Sequence, residues 1–127
     1  MYKSNGKSVL VVDDSEDNVL LMKLLLQNEG YKVSSANSGT KGLEVVDKQR
    51  PDLIILDLMM PDMSGLEIVQ HLKNKCYSAN IPVLLLTANS EFRHAESQNI
   101  DALCYKPFAL DSILEKIRLL LFYRAAI

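Results

Sequence analysis

Five residues able to do ionic or hydrogen-bonding chemistry stand directly after short apolar runs. Asp13 and Asp14 follow Val9-Leu10-Val11-Val12, and Asp57 follows Leu53-Ile54-Ile55-Leu56. Thr87 follows Val83-Leu84-Leu85-Leu86, and Lys106-Pro107 comes just after a weaker run at Leu103-Cys104. A lone Asp after such a run is most often a cap or a turn residue. Five such residues on one rim imply more. Three carboxylates close together repel, and their ionised forms need a partner. One candidate is the Lys106 ammonium. The other is a hard divalent cation such as Mg²⁺, which takes oxygen ligands at about 2.0–2.1 Å and usually keeps several waters. Asp13, Asp14 and Asp57 suit such an ion, some through water, with a backbone carbonyl just after Asp57. An Asp carboxylate is also a competent nucleophile toward a phosphoryl group. Catalysis of that transfer is mostly positioning and charge neutralisation. A cation, Lys106 and the Thr87 hydroxyl each offer to stabilise one phosphoryl oxygen.

These residues share a rim only if the apolar runs are neighbouring strands. Runs of this length, without alternation, read as strands buried on both faces. A further run centres on Val33. Helix patterns lie between them. The first begins after Ser15, an N-cap with Glu16 and Asp17 behind it, and ends at Gly30, with Val19, Met22 and Leu26 inward. The second lies between Ser38 and Arg50, with Leu43 and Val46 inward, and stops before Pro51. The third opens on Ser64-Gly65-Leu66-Glu67, a capping-box pattern, and turns Leu66, Val69 and Leu72 to the core. A fourth, over about Ser90 to Gln98, has only Phe92 and Ala95 as anchors and should be the least firmly packed. The last carries Leu110, Ile113, Leu114, Ile117 and Leu121 at a 3.6-residue period. Strands alternating with helices imply an α/β fold with a parallel sheet, right-handed crossovers and ligands at the carboxyl ends of the strands.

The 127 residues suit one domain. With 48% hydrophobic and 24% charged residues, the chain has material for a soluble core. A net charge of −2 argues against direct nucleic-acid binding. Cys76 and Cys104 form no C-x-x-C pair, which points to inert thiols in a reducing compartment. Residues 1–7 form a polar tail without a signal-peptide core, and the apolar stretch Leu119 to Tyr123 is too short to span a bilayer. The expected location is the cytoplasm. His71 and His94 read as solvent-facing helix residues. Met59, Met60 and Met63 read as loop packing, since thioethers are soft ligands and Mg²⁺ is hard.

Together, the motifs resemble the response regulator receiver domain of two-component signalling. The resemblance runs from Lys7 to about Leu121. Its most specific piece is Asp57-Leu58-Met59-Met60-Pro61-Asp62-Met63-Ser64-Gly65, joined by Asp13-Asp14, Thr87-Ala88 and Lys106-Pro107-Phe108. It implies a five-stranded parallel sheet of order 2-1-3-4-5 in a flavodoxin-like three-layer sandwich with five helices. Asp57 is then the phosphoacceptor, with Thr87 and Lys106 assisting. Asp13, Asp14, Asp57 and the Met59 carbonyl bind Mg²⁺ or Mn²⁺, and the Lys106-Pro107 bond is cis. The implied donor is a sensor histidine kinase or a histidine phosphotransfer protein. The implied output is a downstream protein or fused domain, from a monomer or a phosphorylation-dependent dimer. Such a domain assists its own phosphorylation and slow dephosphorylation and is not a turnover enzyme. It binds neither membrane nor nucleic acid directly.

The chain departs from the family at Leu103, where an aromatic residue is usual. Tyr105 is expected on the other face of that strand. Asn99 replaces a common Gly, and Ser112 and Lys116 replace an acid and an Arg of DNA-binding members' dimer face. Three other readings fit less well. A phosphatase of the haloacid dehalogenase type resembles a D-x-D pattern after the first strand, whereas Asp13 and Asp14 are adjacent. A flavodoxin needs a Gly- and hydroxyl-rich loop there, and Asp13-Asp14-Ser15-Glu16-Asp17 would repel a phosphate. A receiver serving only as a scaffold has no need of all five site residues.

Overall fold

The computed structural model describes residues 6–89, 91–93, 99–107 and 109–126, the last four by backbone alone. Nine elements follow in order: β1 (Ser8–Val12), α1 (Glu16–Asn28), β2 (Lys32–Ala36), α2 (Gly39–Gln49), β3 (Leu53–Asp57), α3 (Gly65–Lys73), β4 (Val83–Thr87), β5 (Ala102–Tyr105) and α4 (Leu110–Ala126). The strands form one sheet in the order β2-β1-β3-β4-β5, and every pairing is parallel. Most of the helix expected over Ser90 to Gln98 lies outside the described residues, among which there are four helices.

Both faces of the central strands are buried, which is why β1, β3 and β4 each carry an unbroken run of four apolar residues, while the edge strands β2 and β5 are partly exposed. Leu10, Val12, Ile54, Leu56 and Leu85 pack with Val46 of α2 and with Ile68, Val69 and Leu72 of α3. Val9, Val11, Leu53, Ile55, Leu84 and Leu86 pack with Met22 and Leu26 of α1 and with Ile113, Leu114, Ile117 and Leu121 of α4. The result is a three-layer sandwich. Burying one such side chain stabilises the fold by about 1.5–3 kcal/mol. Leu110, expected to face inward, is instead 42% exposed at the first turn of α4. There the helix has only just left the loop carrying Lys106 and has not yet reached the core. α1 also leaves Leu20, Leu21 and Leu24 more than half exposed.

The helix starts are chemically specified. The hydroxyls of Ser15, Ser38 and Ser64 accept from the amides of Asn18, Lys41 and Glu67, three residues on in each case. Gly30 follows α1 at a φ of 91°, a left-handed backbone that suits glycine. α2 ends on Arg50, which adopts φ 48° without being glycine, directly before Pro51.

Candidate functional site

The strand order places β1 beside β3, so the residues after Val12 and Leu56 meet on the carboxyl rim. Asp13 is 3% exposed, and its amide donates to the Ala36 carbonyl at 3.1 Å. Its carboxylate accepts from the Ser15 amide at 2.9 Å and from the Asn18 side-chain amide at 3.4 Å. Asp57 closes β3 and is 9% exposed. Its Oδ1 accepts from the Met59 amide at 3.3 Å. Asp14 stands exposed at the mouth. One carboxylate oxygen from each of Asp13, Asp14 and Asp57 lies within 4.8 Å of the others.

Lys106 reaches this cluster from the far side. Its backbone amide donates to the Thr87 carbonyl at 2.8 Å, which extends the pairing of β4 with β5 by one step. Its Nζ lies 3.4 Å from Asp57 Oδ2 and 3.6 Å from Asp13 Oδ2, so one ammonium bridges two buried acids. The Lys106-Pro107 peptide is cis. Thr87 closes β4 fully buried, and its hydroxyl accepts from the Asn89 amide at 2.9 Å.

Burial pushes the Asp57 carboxyl above its ordinary range; Lys106 pulls it back down, and the Asp13 charge pushes it up again. Among the described residues the cluster sets three carboxyl groups beside the Lys106 ammonium. Three oxygen-donor acids, two of them buried and one open to solvent, suit a hard divalent cation. The side chains of Asp13, Asp14, Asp57 and Lys106 are brought together, whereas Thr87 joins them through its backbone carbonyl, bonded to the Lys106 amide, with its hydroxyl turned to the Asn89 amide. The Met59 side chain points outward, 69% exposed, so only its backbone faces the acids' loop.

This arrangement has a family. Residues 9–118 match the family described as the response regulator receiver domain. The chain belongs to it. Sporulation initiation phosphotransferase F of Bacillus subtilis is 35% identical over 116 residues, 89% of this chain and 92% of that protein. The probable transcriptional regulatory protein TcrX of Mycobacterium tuberculosis is 35% identical over 126 residues, but the chain spans only 53% of its length. Among solved structures, response regulator TrrA of Thermotoga maritima, determined in complex with Mg²⁺–BeF, is similar at 37% identity and a TM-score of 0.83. The match covers 91% of this chain and 99% of that one. A receiver domain takes part in two-component signalling, and its general function is to be phosphorylated on an aspartate.

Several partners of this receiver's site carried no signal in isolation. Asn18 supports Asp13 from the first turn of α1, where its type alone looks like ordinary helix surface. Asn89 holds Thr87 two residues after β4. Tyr105 corrects an expectation. Residues two apart on a strand share a face, and the Tyr105 hydroxyl donates to the carbonyl of Phe92, whose side chain packs in the same core as Leu103. Tyr105 thus lies on the Leu103 side of β5. His71 and Cys76 are exposed and Cys104 is buried, none of them at the site. His94 lies outside the described residues.

Proposed function

We propose that Asp57 is the residue of this receiver domain that takes the phosphoryl group, and that residues 1–127 form one such domain behind a polar tail at 1–7. The observation that carries the reading is the Lys106 ammonium spanning Asp57 and Asp13 on the rim where the third acid also stands. Asp57 attacks phosphorus through a carboxylate oxygen, and the bond from phosphorus to the donor's histidine nitrogen breaks. Lys106 would neutralise a phosphoryl oxygen in exchange for part of its pairing with Asp57. Thr87 would turn its hydroxyl from the Asn89 amide toward another. Asp13, Asp14, Asp57 and the Met59 carbonyl would hold Mg²⁺ or Mn²⁺, which supplies further neutralisation of the transferring group. The donor is a sensor histidine kinase or a histidine phosphotransfer protein, and the output a downstream protein or fused domain. The domain promotes its own phosphorylation and slow dephosphorylation and turns over no other substrate. It works in the cytoplasm, as a monomer or a phosphorylation-dependent dimer, without binding nucleic acid or membrane. Among the described residues no helix is long and apolar enough to cross a membrane.

Intact-mass measurement with Mg²⁺ and acetyl phosphate tests the assignment. The parent should gain one acid-labile phosphoryl group and Asp57→Asn none. Equal labelling of both would move the phosphoacceptor elsewhere.

A further inference from the structure

The loop between β3 and α3 grips a second helix through a residue that the transfer chemistry does not use. Asp62 lies in that loop and is exposed. Its Oδ1 accepts from the Gly39 amide at 3.1 Å, and its Oδ2 accepts from the Thr40 amide and the Thr40 hydroxyl, each at 3.2 Å. These are the first two amides of α2, which an α-helix leaves unpaired and where its dipole favours negative charge. The Gly39 and Thr40 amides accordingly hold the Asp62 carboxyl below its ordinary range.

A second contact closes on the same point. A Cβ at Gly39 would lie 2.8 Å from Met63 Cβ and 2.9 Å from its Cγ and Sδ. The loop thus rests on the bare backbone of Gly39 through Met63 while Asp62 holds the amides beside it. The loop's two ends are tied to each other, and its first residue to β4. The Gly65 amide donates to the Leu58 carbonyl at 2.8 Å, and the Leu58 amide to the Leu86 carbonyl at 2.8 Å. Met59, Met60 and Pro61 lie between these ties.

α2 already has an N-cap, since the Ser38 hydroxyl takes the Lys41 amide. A second cap supplied by a distant loop orders that loop as much as the helix, because the loop must surrender backbone freedom to make it. We propose that Asp62 is a positioning residue for the cation site, holding the β3–α3 loop against α2 so that the Met59 backbone, whose amide bonds Asp57 at 3.3 Å, is kept where its carbonyl would serve the ion. The inference rests on the receiver reading above and assigns a role to a residue that neither accepts the phosphoryl group nor ligates the ion.

The test uses Mg²⁺ alone, titrated by calorimetry into the unphosphorylated protein, followed by phosphorylation rates with acetyl phosphate. Asp62→Ala should weaken Mg²⁺ binding by about tenfold, the low end for lost support of a metal ligand. Its phosphorylation should slow at low Mg²⁺ and recover at saturating Mg²⁺. Asp62→Asn keeps one acceptor oxygen, enough for one of the two helix amides, and should fall between Asp62→Ala and the parent in affinity. Gly39→Ala approaches from the other side: alanine suits a helix better than glycine, yet its methyl group displaces Met63. It should reproduce the loss with α2 intact. Faster amide exchange at Gly39 and Thr40 in Asp62→Ala, with unchanged Mg²⁺ affinity, would reduce Asp62 to a helix cap and overturn the proposal. Should Asp62→Ala fail to fold, unchanged affinity in Gly39→Ala does the same. Because the titration precedes phosphorylation, failure of the parent to accept a phosphoryl group would count against the assignment of Asp57 and not against this one.

Discussion

Removing the proposed phosphoacceptor's charge should stabilise the metal-free protein. The Lys106 ammonium lies 3.4 Å from Asp57, and the three acids' nearest oxygens lie within 4.8 Å of one another. With an effective dielectric of about 20, the ion pair favours the charged form by about 5 kcal/mol, and one neighbouring acid at that outer distance opposes it by about 3.5 kcal/mol. Asp14 is open to water, and at a dielectric of about 80 its share falls to about 1 kcal/mol. Attraction and repulsion nearly cancel. What remains is the cost of desolvating a carboxylate in a residue only 9% exposed, and the raised Asp57 carboxyl reflects that burial first. Asp57→Asn removes this cost and leaves Lys106 paired with Asp13 at 3.6 Å, so no buried charge is orphaned. The expected outcome is a higher melting temperature for the variant, each kcal/mol gained raising it by about 4 °C in a domain this size. The sign follows from the direction of the shift. An acid raised above its ordinary value of 3.8 contributes fully to stability below that value and loses the contribution as pH rises through the folded-state value. The gap between parent and variant therefore opens from about pH 4 upward and is complete near neutrality if the folded-state value lies below it. Thermal melts followed by circular dichroism in EDTA, in acid and at neutral pH, measure it. Adding Mg²⁺ should narrow or invert the order, since an ion at a hundredfold its Kd stabilises the native state by about 2.7 kcal/mol and the variant lacks one ligand. An asparagine variant that melts several degrees below the parent in EDTA at neutral pH would show that the ion pair outweighs burial and repulsion, and the reasoning would fail.

Asp14→Ala should keep the fold and weaken Mg²⁺ binding, since this acid is exposed and belongs to the three-acid cluster; unchanged affinity by calorimetry would remove it from the ligand set. Gly65→Ala should destabilise by about 1–3 kcal/mol, the usual cost of overpacking, because its Cβ would meet the Asp57 carbonyl at 2.8 Å and Leu85 Cδ1 at 2.9 Å; urea unfolding measures this, and a neutral result would mean that the loop gives way freely. Beryllofluoride with Mg²⁺ should speed amide exchange at Asn89 in the parent, because Thr87 is expected to give up the 2.9 Å bond from that amide. Thr87→Ala, which never had the bond, should show no such change. Equal responses in the two proteins would place the signal elsewhere.

Much of this site was legible because strand ends leave a plain mark in sequence. Uninterrupted apolar runs such as Leu53-Ile54-Ile55-Leu56 specify strands buried on both faces, and the polar residue after each belongs on the rim. The serine caps at Ser15 and Ser64 were equally clear, because each acts within three residues of itself, and Ser38, read only as the edge of the second helix, caps α2 in the same way. What the sequence hid depends on distance through space. Nothing near Asp62 announces that its carboxylate crosses to Gly39 and Thr40, since both ends of that bond are ordinary loop and helix-start residues. Leu110 kept the helical period yet lies exposed, because periodicity shows which face a helix turns inward and not where along its length the core begins. The side of β5 taken by Tyr105 was available from the two-residue period of a strand and was read wrongly.

The alignment of β1 with β3 carries one more consequence. Val9 stands opposite Leu53, Leu10 opposite Ile54, Val11 opposite Ile55 and Val12 opposite Leu56. Both faces of these strands are apolar, so a slip by one residue would trade one greasy surface for another and meet little resistance from hydrophobic pattern. In an ordinary half-buried sheet the same slip would turn every side chain the wrong way. Here the polar strand ends remove the ambiguity. Sliding β3 one place deeper would drag the Asp57 carboxylate into the apolar interior, away from Lys106, where an unpaired charge costs far more than a misplaced methyl group. Sliding it the other way would lift Leu56 into the acidic pocket. The residues arranged for chemistry thus also act as alignment marks during folding, and neutral substitutions at Asp13 and Asp57 together should leave a chain that is as apolar as before but less certain of how its strands line up.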